Sequence, residues 1–180
     1  MDILKMLGIL PKEFAKYDIH YAVIGGFAMN ALGMVRSTVD LDLLVLAEDT
    51  PQLQKLLETL GYSCVYKTEN VSQYTSPSQA LGEIDVLHAF RAASLRMLKR
   101  CRKISLFNDT INLNVLCPED IIGLKLQALV NDESRKEKEL SDIHLLMAHF
   151  KDGLAWDIIK EHFDLFEQRA LFQSLKARYG

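Results

Sequence analysis

Three aspartates set into apolar runs are the residues of this chain best suited to do chemistry. Asp40 and Asp42 interrupt the sequence VDLDLLVL over residues 39–46, and residues two apart on a strand point to the same side. Two carboxylates held about 4 Å apart repel by about 4 kcal/mol at an effective dielectric of roughly 20, and burial adds a desolvation cost to each. Such a pair needs a cation. Oxygen-only donors suit Mg2+ or Mn2+, which bind through a few carboxylates together with substrate phosphates and water. A third acid, Asp85, lies in EIDVLHA over residues 83–89 and shares a face with Glu83 and Leu87. In a strand beside the first, Asp85 would complete a set of three. Glu83 is the alternative inward carboxylate, although its place at the strand entrance favours solvation.

Gly25 and Gly26 follow the apolar run YAVI of residues 21–24. Glycine lets backbone approach a phosphate closely, and the N–H groups at a helix start favour an anion. A plain tight turn would use the same residues. Lys125 falls in the middle of the helical arc formed by Ile121, Ile122, Leu124, Ala128 and Leu129, so it points toward the core. A buried ammonium needs a partner, for which Asp142 and a triphosphate are both candidates; a lysine snorkelling to the edge of the face is the third reading. Arg96, Lys99, Arg100, Arg102 and Lys103 form the densest basic cluster, which is either a solvated face or a patch that steers a polyanion such as tRNA. The segment 135–138 is offset by Glu133, Glu137 and Glu139 and carries less weight as a patch. Tyr66, Tyr74 and the loop near Ser76 could line an acceptor site. The five histidines are scattered, His88 opposite Asp85, and read as core or surface residues.

The elements that position these groups follow from periodicity. An apolar helical spacing over residues 2–17 is bent at Pro11. A buried strand over 21–24 leads through the glycines into a short helix over 27–32. The strand over 39–46 is followed by a helix opened by Thr50 and Pro51 and closed at Gly61. Shorter strands are expected over 62–67 and 71–75, then a loop over 76–82, SPSQALG, by composition. The strand over 83–89, a helix over 92–100 and strands near 104–107 and 111–116 complete this part. From Pro118 onward the pattern is helical, beginning with a helix over 118–130 that carries Pro and two acids in its first turn. The order predicts an α+β fold, with a mixed sheet and its helices over residues 1–117 and a helical bundle over 118–180.

The 180 residues, 49% apolar and 25% charged, suffice for a real core. A net charge of −3 means that a nucleic acid would have to be met locally. Cys64, Cys101 and Cys117 are odd in number and form no CxxC, as expected in a reducing compartment. The N-terminus lacks a basic leader followed by a long apolar core, and no stretch nears the roughly 20 apolar residues that cross a bilayer. The expectation is a cytoplasmic protein without membrane partners.

The run IGGFAMNALGMVRSTVDLDLLV of residues 24–45 resembles the signature of the DNA polymerase beta-type nucleotidyltransferase superfamily: a glycine turn, a short helix, then alternating aspartates on a strand. EIDVL resembles its third acidic strand. Arg36 and Thr38 look like the minimal bacterial members, including aminoglycoside and lincosamide nucleotidyltransferases and the AbiEii-type toxin-antitoxin enzymes. The segment PEDIIGLKLQALVND with the later ELSDIHLL is similar to the helical part of the last group, where a lysine and an aspartate recur. The resemblance implies a nucleotidyltransferase-like fold. It also implies transfer of a nucleotide from an NTP, most naturally ATP, to a hydroxyl on a protein, tRNA or small molecule, with release of pyrophosphate. Asp40, Asp42 and Asp85 would hold two Mg2+ ions, and Asp85 would receive the acceptor proton. Gly25, Gly26, Arg36, Thr38, Lys125 and Asp142 would form the nucleotide site, and an antitoxin or a second copy would be a partner. Many relatives have serine after the first glycine, whereas residue 26 lacks a hydroxyl. That departure keeps open a catalytically silent module that only binds nucleotide or a partner.

Overall fold

The computed structural model describes residues 3–78 and 82–180. Two compact units make up the chain, Met1–Leu116 and Cys117–Gly180. In the first, helix α1 (Ile3–Lys16) is followed by strand β1 (Tyr21–Val23), helix α2 (Gly25–Ala31) and strand β2 (Leu41–Leu46). A 3-10 turn then leads into α3 (Thr50–Thr59), the strands β3 (Ser63–Lys67), β4 (Val71–Thr75) and β5 (Glu83–Ala89), and α4 (Ala92–Arg100). The hairpin of β6 (Arg102–Leu106) and β7 (Ile111–Val115) ends the unit. The second unit consists of α5 (Pro118–Asn131), α6 (Lys136–His149), α7 (Trp156–Leu165) and α8 (Arg169–Tyr179), with a 3-10 turn before α6. The fold is α+β. Of the loop expected over 76–82, residues 79–81 lie outside the described residues, as do residues 1 and 2 at the start of the first expected helix. Among the described residues no helix is long and apolar enough to cross a membrane.

The seven strands form one mixed sheet in the order β3-β4-β5-β2-β1-β7-β6. β2 runs parallel to β5 and antiparallel to β1, and β1 runs parallel to β7. The central strands read as apolar runs because one side of the sheet is sealed. Leu41, Leu43 and Val45 of β2 stand in register with Ile84, Val86 and His88 of β5, and Ser72 and Tyr74 of β4 continue the row; all are buried. His88 is satisfied there by the Ser72 hydroxyl at 3.0 Å and the Glu69 carbonyl at 2.9 Å. Register partners share a face, so Asp42, Asp85 and Gln73 fall on the opposite side, where β4 and β5 stay open to solvent.

Candidate active site

The parallel pairing of β2 with β5 brings the carboxylates together: Asp42 and Asp85 are direct register partners. Gln73, opposite Asp85 on β4, donates from Nε2 to Asp85 Oδ1 at 3.0 Å and orients that carboxylate. Sequence reasoning missed Gln73, because its position opposite Asp85 is visible only once the β4–β5 register is known. Glu83, the alternative acid, is exposed.

Asp40 does not lie on the strand as expected. β2 starts at Leu41, and Asp40 occupies a bend just before it. In the stretch leading into β2, Met34, Arg36, Thr38 and Asp40 are half-buried and Val35, Ser37 and Val39 exposed. The alternation ends at the bend, beyond which Leu41 is buried and Asp42 half-buried. Asn30 holds the ribbon in place, donating from Nδ2 to the Arg36 carbonyl at 2.8 Å and accepting the Arg36 N–H at Oδ1 at 2.7 Å.

The glycines lie inside the first turn of α2 rather than before it. The Ile24 N–H donates to the Asp42 carbonyl at 3.0 Å, which carries the ladder one rung past β1. Gly25 therefore stands against Asp42, and a Cβ there would sit 2.1 Å from Asp42 Oδ2. Gly25 also has φ +64°, a conformation that suits glycine. A Cβ on Gly26 would meet the Thr38 side chain at 2.6 Å. Both glycines thus make room for side chains of the ribbon. Among the described residues no three His, Cys, Asp or Glu side chains are gathered into a metal cage.

A family model described as "Uncharacterised nucleotidyltransferase" matches residues 3–175. The chain belongs to this nucleotidyltransferase family. Solved structures share its fold. The solution structure of the antibiotic-resistance factor ANT(2'')-Ia has 15% identity over 100% of both chains, with a TM-score of 0.68. A nucleotidyltransferase-like protein from Paracoccidioides brasiliensis has 17% identity over 95% of this chain and 90% of its own, at 0.56. The lincosamide adenylyltransferase LnuA, bound to lincomycin, has 16% identity over 79% of this chain and 94% of its own, also at 0.56. No curated protein matches the sequence.

In the nucleotidyltransferase the basic cluster follows its solvated-face reading, whereas Tyr74 departs from its acceptor-site reading. Arg102 and Lys103 belong to β6, and strand alternation sends them to opposite faces. β6 is also four strands away from β5, about 19 Å at the usual strand spacing, so these charges do not join the carboxylates. Arg96 and Arg100 make interactions of their own. Tyr74 is fully buried, paired with Ile84 on the sealed face, and lines no acceptor site beside Asp85. Desolvation holds its phenol above the usual range.

Within the second unit, Lys125 Nζ lies 2.7 Å from Asp142 Oδ2 and 2.9 Å from Glu139 Oε2. The structure thus supplies Asp142 as a partner and adds Glu139. Glu139 is fully buried because Arg135 Nε also donates to its Oε1 at 3.0 Å. A second buried network joins Cys117, which donates to Asp120 Oδ2 at 3.1 Å, with His162, whose Nε2 lies 2.9 Å from Asp120 Oδ1. Burial, reinforced by the Asp120 charge, pushes the Cys117 thiol up to about 12.

Proposed function

We propose that the Met1–Leu116 unit transfers a nucleoside monophosphate from an NTP, ATP first among them, to a hydroxyl acceptor in a reaction that depends on Mg2+ or Mn2+. The observation that carries this is the register pairing of Asp42 with Asp85, with Gly25 packed on the Asp42 carboxylate. The donors fit such an ion. They are carboxylates only, two of them side by side on β2 and β5. Magnesium and manganese need a few protein oxygens because phosphates and water complete their shell, so an open set of carboxylates suffices. Asp40, Asp42 and Asp85 would hold the ion, which when bound neutralises phosphate charge and lowers the pKa of a coordinated hydroxyl.

The acceptor oxygen forms a bond to the α-phosphorus as the bond from that phosphorus to the bridging oxygen breaks, and pyrophosphate leaves with the electron pair. Asp85, oriented by Gln73, takes the proton from the acceptor hydroxyl. Gly25 and Gly26 keep the start of α2 free of side chains that would displace Asp42 and Thr38, and Arg36 and Thr38 would contact the nucleotide. Lys125 and Asp142, engaged with each other, are assigned a structural role.

The setting of Asp85 favours a neutral or cationic acceptor over RNA. Its open face carries Gln73 and the exposed Glu83, while the basic strand β6 is at the far edge. ANT(2'')-Ia has been crystallised with adenylyl-2''-tobramycin, a product on a cationic small molecule, and is similar in fold alone. The test incubates the protein with Mg2+ and each α-labelled NTP, offering aminoglycosides, bulk tRNA and cell lysate as acceptors. Asp42→Asn and Asp85→Asn should abolish labelling while the thermal midpoint holds; labelling equal to wild type would reject the assignment.

A further inference from the structure

An irregularity in β3 decides which of its side chains faces the carboxylates. The ladder with β4 pairs Ser63 with Thr75 and Cys64 with Tyr74, then passes over Val65 to pair Tyr66 with Gln73 and Lys67 with Ser72. In an unbroken ladder Val65 would stand opposite Gln73, and Tyr66 would join Ser72 on the sealed face. The extra residue turns Tyr66 to the open face instead, and bulges beside active sites re-aim side chains in this way. Tyr66, Gln73, Asp85 and Asp42 thus form one row across four neighbouring strands. Lys67 goes to the other side, where its Nζ donates to Gln54 Oε1 of α3 at 2.9 Å.

The Tyr66 phenol is otherwise idle. The residue is 52% exposed, and among the described residues no group bonds its hydroxyl; only its backbone carbonyl is used, accepting from Cys64 Sγ. The other tyrosines are placed differently. Tyr21, Tyr62 and Tyr74 are buried, the Tyr179 hydroxyl lies 2.9 Å from His144 Nδ1, and Tyr17 follows α1, outside the sheet. Two strand spacings put the Tyr66 backbone about 10 Å from that of Asp85, and an aromatic side chain covers much of such a span. From the other end Gln73 Nε2 donates to Asp85 Oδ1, which inclines the carboxylate toward β4. We propose that Tyr66 is an acceptor in the protein's own reaction: leaning over Gln73, its hydroxyl takes the nucleoside monophosphate within the same chain. The phenol oxygen forms a bond to the α-phosphorus as the bond from that phosphorus to the bridging oxygen breaks. Pyrophosphate leaves with the electron pair, and the phenol proton goes to Asp85. The proposal rests on the nucleotidyltransferase reading.

The full chain is incubated with Mg2+ and each α-labelled NTP, with no acceptor added, and the label is followed by intact mass and by peptide mapping. It should rise to a single nucleotide per chain, map to Tyr66, and appear with a rate constant that does not change with protein concentration. Tyr66→Phe keeps the ring and removes the hydroxyl, so its labelling should fall to background while the thermal midpoint holds. Tyr17→Phe, changed away from the sheet, should label as wild type does. A tagged Asp42→Asn chain mixed with wild type should stay unlabelled, because the transfer is within one chain. Label that survives Tyr66→Phe, maps to another residue or passes to the tagged chain would overturn the proposal. A wild type that labels an aminoglycoside, bulk tRNA or cell lysate but not itself would also overturn it, and would leave the nucleotidyltransferase reading standing. A wild type that transfers label neither to itself nor to any of these acceptors would remove both.

Discussion

Gly25→Ala tests whether the position of Asp42 is what the site depends on. The alanine methyl would be built 2.1 Å from Asp42 Oδ2 and 2.7 Å from its Cγ, whereas ordinary contact begins near 3.4 Å. The carboxylate must therefore retreat by roughly 1 Å, and a misplacement of that size costs about 10²-fold in rate. Separately, φ +64° costs an L-residue about 1–2 kcal/mol, which lowers the midpoint of a protein of this size by about 2–8 °C. Asparagine tolerates the left-handed conformation better than alanine, so Gly25→Asn should recover part of the stability while its side chain still meets Asp42. The assay is initial-rate transfer from α-labelled ATP at saturating Mg2+, with thermal unfolding recorded on the same samples. Both variants should be folded at 25 °C and at least about 100-fold slower than wild type, with Asn the more stable. A Gly25→Ala enzyme that is destabilised yet transfers within a few-fold of wild type would refute the reasoning, because the methyl would then have displaced a carboxylate that does no work.

Lys125→Met removes the cation that faces two buried carboxylates, Glu139 and Asp142, and should cost about 3–5 kcal/mol in a urea titration; a loss below about 1 kcal/mol would show that the pair is solvated. Cys117 should resist a thiol reagent at pH 8 that reacts with the part-exposed Cys64 and Cys101, and become reactive only on unfolding. Its thiol is raised from 9.0 to about 12 in the folded state, so the unfolded chain gives up that proton first as pH rises. Stability supplied by the protonated thiol is then complete below pH 9 and lost toward pH 12, and wild type should lose more stability than Cys117→Ala across that window. Equal losses would mean that the thiol is solvated.

Much of the site was legible because strong apolar runs left few places for a carboxylate to hide. Asp42 and Asp85 interrupt sequences that can only be central strands, and their alternation fixes which way they point. The pairing of those two strands could not be read, nor could the parallel register that makes Asp42 and Asp85 neighbours, because strand order depends on contacts across some forty residues. Asp40 was placed on the strand because Val39 looks like a strand residue, yet Val39 is exposed and the ladder begins two residues later. Glu139 was not among the partners considered for Lys125. In a sequence crowded with alternating charges it looks solvated, and only the approach of Lys125 from α5 and the turn that brings Arg135 over it make burial tolerable. Arg102 and Lys103 looked like one patch because β6 was expected to begin at residue 104; two more strand residues turn adjacent charges into opposed ones.

The two consecutive glycines show why a short motif can carry two independent constraints. Residue 25 is fixed by its own backbone and by Asp42, so no change elsewhere in the ribbon would free it. Residue 26 is fixed only by the volume of Thr38, which makes the two positions a coupled pair. The absence of a hydroxyl at residue 26, taken alone, kept a catalytically silent protein open. With Thr38 packed on the turn, a hydroxyl nevertheless lies 2.9 Å from where a Cβ on residue 26 would stand.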